Sequence, residues 1–172
     1  PGPRTVALTP AHLALLRSFL PRAARARLDE HACPYVAMEV WDAEGGGRLR
    51  FHAEEVGAEA LGAIVPNAIL QQGLWQALVA ADVVRLPGLA IAALAPGAGE
   101  GDAAWRVRLD PATGADGSGR SARAHLLVGA DGARSRVAEL VGAEARTVPY
   151  GQRALVFTAR FRDAHGGVAR QA

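Results

Sequence analysis

The chain of 172 residues contains no lysine, and all 19 of its basic residues are arginine. That absence excludes a Schiff-base lysine and the lysine of a phosphate-cradling P-loop. A single cysteine, Cys33, excludes an internal disulfide and a thiolate metal cluster, and fits a reducing compartment. The five histidines are far apart in sequence and form no local metal-binding pair, so each reads as structural or solvent-facing. Aromatic residues make up 5%, and the arginines are interspersed with 17 acids for a net charge of +2. A nucleic-acid surface wants a basic stripe with interleaved aromatics, which this pattern does not supply. No apolar run approaches the roughly 20 residues needed to span a bilayer, and no charged-then-apolar signal segment opens the chain. Internal repeats are absent too.

What is present is an alanine- and glycine-rich chain, 50% hydrophobic and long enough to bury a core. It starts Pro1-Gly2-Pro3 and stops at Gln171-Ala172 without a turn or cap, and reads as part of a longer protein. Its organising stretch is Leu126 to Val137, LLVGADGARSRV. An apolar run, Leu126 to Val128, breaks at Gly129-Ala130-Asp131-Gly132, and a short helical pattern follows from Ser135 to Val141, with Gly142 at its end. This is the profile of a strand feeding a tight turn at the carboxyl end of a sheet, where open α/β sheets bind nucleotides. Gly132 lets the backbone come close to a bulky anion, and the Asp131 carboxylate can accept hydrogen bonds from sugar hydroxyls. Alone, an Asp-Gly pair is as well explained by an ordinary strand-ending turn. Asp116-Gly117 illustrates this, because no apolar strand precedes it.

Elsewhere the punctuation is regular. Thr9 is an N-cap and Pro10 suits a first helical position, with Leu13, Leu16 and Leu20 on one face and Pro21 ending the helix. Arg22 to Ala32 reads as a solvated helical connection. Tyr35 to Trp41 and Arg48 to His52 read as strands joined through Gly45-Gly46-Gly47. Leu61 to Val65 leads into Pro66 and a second apolar-striped helix through Leu70, Leu74 and Leu78, with Asn67 as its N-cap and Gly73 allowing close packing. Strands Leu89 to Leu94 and Trp105 to Leu109 follow, the latter with Trp105, Val107 and Leu109 on one face and Arg106 and Arg108 on the other.

The string GADGARSRV resembles the GADGxxSxVR signature of flavin-dependent aromatic hydroxylases, the class of para-hydroxybenzoate hydroxylase. RTVALTPAHLALL, CPYVAMEVWDAEGGGRLRF, LGAIVPNAILQQGLWQAL and AHGGVARQ are similar to segments of the ubiquinone-biosynthesis branch, in the same order. The signature's final arginine is Ala138 here, and many members carry arginine at the position of Ala68.

The resemblance implies a mixed α/β (α+β) fold, part of a Rossmann-like FAD-binding domain with a β-meander and strands of a substrate sheet. It assigns 1–33 and 66–147 to the FAD domain, and 34–65 and 148–172 to substrate-sheet segments. It further implies FAD as cofactor, NAD(P)H as co-substrate, and an aromatic, phenolic and lipid-like substrate that receives one atom of O2. By the resemblance Arg4 reaches the FAD phosphates, Asn67 touches the flavin nucleotide, and Asp131 and Gly132 lie against FAD. Read alone, Arg4 is equally an exposed arginine, and Asn67 a simple cap. Met38 and Trp41 become neighbours of the substrate pocket, although core packing explains either one. The resemblance names no catalytic acid, base or nucleophile, and no metal. A glycine-rich Gly-x-Gly-x-x-Gly turn and a later Gly-Asp motif, both expected to hold FAD, are not among these residues. Partners would be other ubiquinone-biosynthesis proteins, a further copy of the chain or a membrane surface, with a cytoplasmic location peripheral to the inner membrane. The alternative is a catalytically inactive relative that serves as an assembly module.

Overall fold

Short strands separated by polar turns divide the chain among small sheets. The computed structural model describes residues 4–97, 104–112, 119–144 and 146–172, so the loop holding Asp116-Gly117 lies outside it. Two units result, one from Pro1–Val83 with Arg153–Ala172, the other from Val84–Gln152.

In the first unit, β1 (Thr5–Leu8), β5 (Gly62–Pro66) and β2 (Cys33–Tyr35) form an antiparallel sheet with β5 in the centre. Helix α1 (Pro10–Phe19) starts as its sequence dictates: Thr9 is extended and its hydroxyl accepts from the His12 N–H, with proline following it. Helix α2 (Arg22–His31) is more than a solvated connection. Ala24 and Leu28 lie four residues apart, hence on one face, and both are buried while the arginines point outward. They join Leu13, Leu20, Ala63, Val65 and Leu70 in one core beneath α3 (Asn67–Ala80). Close approach of α3 depends on Gly73, where a Cβ would stand 3.3 Å from Leu20 Cδ2 and 3.6 Å from Ala24 Cβ.

The same unit holds a second sheet, ordered β4 (Arg48–His52), β3 (Ala37–Trp41) and β9 (Val168–Gln171). The expected hairpin is present as β3 and β4, in register from Ala37 opposite His52 to Trp41 opposite Arg48. Strand β9 pairs parallel to β3, bringing chain more than 125 residues away onto its other edge.

In the second unit, β6 (Leu89–Pro96), β7 (Trp105–Pro111) and β8 (Arg120–Ala124) make an antiparallel meander with a register shift between Ile91 and Ala93. Along β7, Val107 is buried while Arg106 and Arg108 are exposed, so the alternation seen in the sequence is the alternation of its faces. A short helix, α4 (Arg136–Leu140), follows the Asp-Gly turn, and Gly142 beyond it adopts φ +68°, the left-handed geometry that glycine takes without a Cβ penalty. The strand expected at Leu126 to Val128 does not form. Among the described residues nothing pairs with this segment, and Leu126 and Val128 are 78% and 72% exposed. Extended backbone without a ladder partner has nothing to hold it as a strand. The expected class, mixed α/β, is borne out by three small sheets and four helices among the described residues.

Candidate functional site

Two places carry the candidate residues, one in each unit. The first is the junction of β1 with α3. The β1–β5 ladder ends with Thr5 opposite Pro66, and the next rung is the Asn67 N–H donating to the Arg4 carbonyl at 2.9 Å. Arg4 and Asn67, 63 positions apart in sequence, therefore sit side by side. The helix starts one residue earlier than expected: Pro66, extended at φ −61° and ψ 128°, is the cap position, and Asn67 is already helical. Asn67 is thus not the N-cap, because the ladder holds Pro66 extended and binds the Asn67 N–H. No side chain caps this helix and no acid lies in its first turn. Its remaining first-turn N–H groups, the exposed Arg4 and the positive end of a 14-residue helix dipole make a junction suited to an anion.

The second place is the Asp-Gly turn. The Asp131 carboxylate accepts three hydrogen bonds from its own loop: Ser135 Oγ to Oδ1 at 2.5 Å, and to Oδ2 the N–H groups of Arg136 at 2.7 Å and Val137 at 3.2 Å. Ser135 in turn caps α4 by accepting from the Ala138 N–H at 3.0 Å. The Ser135 hydroxyl, opposed by desolvation and helped by the N–H groups of Val137, Asp131 itself and Arg136, holds the Asp131 carboxyl below its usual range. Arg136 pairs with Glu139 at 2.6 Å and also reaches the Ala92 carbonyl at 3.5 Å, fastening the helix to β6. Gly132 adopts φ +90°, and no atom lies within 4 Å of where its Cβ would be, so one side of this turn is open backbone. Gly129 is tight for the opposite reason: a Cβ there would stand 2.9 Å from Val137 Cγ1.

Sequence reasoning singled out Asp131 and Gly132 but gave no role to Ser135 or Gly129. Ser135 was open to discovery as a serine directly before a helical pattern. Gly129 was not, because its constraint is contact with a side chain eight residues on.

Met38 and Trp41 do not share a pocket. Three residues apart on β3, they point to opposite faces of the sheet. Met38 and Val40, with their cross-strand partners Phe51 and Leu49, form an apolar face. Trp41 lies on the charged face, with the Arg48 guanidinium 5.8 Å from its ring centroid. Beside it Glu39, its side chain 17% exposed, is bridged by Arg50 at 3.4 Å and by Arg170 at 3.2 Å. Among the described residues no group of three or more His, Cys, Asp or Glu is placed to hold a metal, and no helix is long and apolar enough to cross a membrane.

A mixed fold with an uncapped helix start in one unit and an Asp-Gly turn braced on a short helix in the other accords with the flavin-hydroxylase resemblance. Comparison with known proteins makes that resemblance specific. No protein-family model matches the chain. The ubiquinone hydroxylase UbiL of Rhodospirillum rubrum is 36% identical over 127 residues, 73% of this chain and 27% of that protein. The 3-demethoxyubiquinol 3-hydroxylase of Escherichia coli is 34% identical over 127 residues, 73% of this chain and 29% of that protein. The chain is therefore a relative of the ubiquinone-biosynthesis hydroxylases, and it spans less than a third of the length of the curated relatives it matches.

Proposed function

We propose that this chain is part of an FAD-dependent monooxygenase that uses NAD(P)H and O2 to hydroxylate an aromatic ring, a polyprenylated phenol on the way to ubiquinone. Similarity along 127 residues to a ubiquinone hydroxylase and a 3-demethoxyubiquinol 3-hydroxylase carries this reading. Bound FAD would supply the oxygen-transfer chemistry, and the protein's task is to place and shield it.

The residues present fit that cofactor. Arg4 and the uncapped start of α3 would hold phosphate, because the helix's first-turn N–H groups and an arginine joined to it by a backbone rung lie at one junction, and no acid lies in the helix's first turn. The Asn67 side chain, not used for capping, is left to meet the nucleotide. Gly132 offers open backbone against which a flat ring system can lie. Asp131 fixes the path of that backbone. Its oxygens are taken up largely by donors of its own loop, so its service to the cofactor is to hold that backbone in place. The apolar face formed by Met38, Val40, Leu49 and Phe51 suits an aromatic, lipid-like substrate.

A second reading is favoured by the exposed side chains of Leu126, Val128, Tyr150, Leu155, Phe157 and Phe161, which range from 72% to 90% exposed. In it the chain docks onto other ubiquinone-biosynthesis proteins, a further copy of itself or a membrane surface, without catalysis. Flavin absorbance of the protein isolated from its native host, followed by an assay of phenol hydroxylation with NAD(P)H and O2, separates the two. Yellow protein that forms hydroxylated product is the expected result. Colourless protein that converts no phenol but co-purifies with biosynthetic enzymes would overturn the first reading in favour of the second.

A further inference from the structure

We propose that the cleft between α1, α2 and the Gly62 end of β5 is a binding site for a small amphipathic amine, a ligand with an apolar body and an ammonium head. The cleft has a volume of about 460 Å³, within the range of small-molecule sites. Pro10, Leu13, Ala32, Pro34 and Ala63 line it, and of these Leu13 and Ala63 are 7% and 4% exposed, so its floor is the core of the first unit. The cleft stands apart from the junction of Arg4 with Asn67. Gly62 begins β5 and Pro66 ends it, a strand's length of about 13 Å away.

The polar groups of the cleft select the sign of the ligand's charge. Arg17, Asp29 and Glu59 border it, two acids against one base. Arg17 donates from Nε at 2.9 Å and from Nη2 at 2.6 Å, and both bonds end on Asp29 Oδ1. A fork-to-fork pair would have used both carboxylate oxygens. Asp29 Oδ2 consequently accepts no hydrogen bond from the described residues, and Glu59 forms no ion pair among them. The carboxyl end of α2 reaches the same cleft through Ala32, and a helix dipole is negative at that end. An ammonium group matches this set: it is compact and cationic, and its three N–H donors need the acceptors that this rim supplies. The apolar walls take the ligand's hydrocarbon body, whose removal from water adds to the attraction. A neutral ligand leaves the acids unused, and an anion meets like charge.

Titrating 2-phenylethylamine into the isotope-labelled protein at constant ionic strength tests the site, with 3-phenylpropionate as an anion of similar shape and 2-phenylethanol as a neutral one. Saturable amide shifts confined to Leu13, Asp29, Ala32, Glu59, Ala63 and their neighbours are expected for the amine, with a midpoint of about 1–10 mM. The alcohol should need about tenfold more, and the anion should give no saturable shift. Glu59→Gln and Asp29→Asn should each raise the amine's midpoint about twofold to fivefold, the range for a solvent-accessible charge pair. Ala60→Leu, which adds bulk to the lining of the cleft, should weaken amine and alcohol alike. Glu44→Gln, in the turn between β3 and β4, should leave the midpoint unchanged. Because Asp29 also joins α2 to α1, the exposed Glu59 carries the charge test if Asp29→Asn loses its fold. Equal midpoints for the amine and the anion, shifts that grow without saturating, or an amine midpoint unaltered in Glu59→Gln would overturn the proposal.

Discussion

Asp131 acts first on its own loop. Its three loop hydrogen bonds and the Ser135 cap make the turn and the start of α4 a single braced unit, which short helices need because five residues cannot sustain a helix alone. Asp131→Ala should therefore release the Arg136 and Val137 amides to rapid hydrogen exchange while leaving the β6–β7–β8 meander protected. In flavin-loaded protein the same change should weaken FAD retention by about tenfold or more, since the open Gly132 backbone loses its brace. Retained protection at Arg136 would show that the carboxylate does not hold the turn. The depressed ionisation of Asp131 sets the sign of a pH effect. A carboxyl held below its ordinary value contributes stability that is fully present above that ordinary value and is lost as pH falls through the folded one. The Arg136 and Val137 amide resonances should consequently be constant near neutrality and titrate together only on acidification below the usual aspartate range. In Ser135→Ala that titration should move to higher pH, because the largest contribution to the depression is removed.

At the scale of elements, the first unit rests on β5 and on the face that α2 shares with α3. Leu28 is 1% exposed and Val65 0%. Leu28→Ala should cost about 2–5 kcal/mol, the range for emptying a packed core position, and lower the denaturation midpoint of that unit. Gly62 is constrained more sharply: a Cβ there would stand 2.5 Å from the Leu8 carbonyl oxygen and 2.6 Å from the Tyr35 hydroxyl. Its neighbour is backbone on one side, so Gly62→Ala has to spread the β1–β5 pair and should cost about 1–3 kcal/mol as overpacking does. Chemical denaturation of both variants checks these expectations. A wild-type midpoint for Gly62→Ala would mean that β1 shifts freely against β5. The two-faced β4–β3–β9 sheet shows how one strand serves two environments: odd positions of β3 carry Glu39 and Trp41 among arginines, and even positions carry Met38 and Val40 on an apolar surface.

For the whole molecule the exposed apolar surface dominates. Leu126 and Val128 lie open in one unit, while Leu155, Phe157 and Phe161 lie open in the other. If four or five side chains of this size gain burial at about 1.5–3 kcal/mol each, the gain is on the order of 10 kcal/mol, as large as the stability of a typical domain. We expect the chain to self-associate with rising concentration, which sedimentation velocity reads directly. A monomer at every concentration, with one cooperative melt well above room temperature, would show that this surface is tolerated in water.

Local chemistry determined much of this protein in advance. The Thr9-Pro10 helix start, the Gly45-Gly46-Gly47 hairpin, the in-and-out alternation of Trp105 to Leu109 and the likeness of GADGARSRV to a flavin-hydroxylase signature all depend on neighbours a few residues apart, and such relations are legible in sequence order. Tertiary structure decided the rest. That Leu126 to Val128 stays unpaired depends on what lies beside it, and its own propensity cannot supply a ladder. The rung from Asn67 to Arg4 moved the start of α3 and freed the Asn67 side chain. Arg170 found Glu39 because β9 joins β3 across 131 positions, a pairing that no local spacing encodes. The Asp131 carboxylate met three donors of its own loop, because the turn folds back onto α4, and sequence spacing alone does not count how many donors a carboxylate will meet.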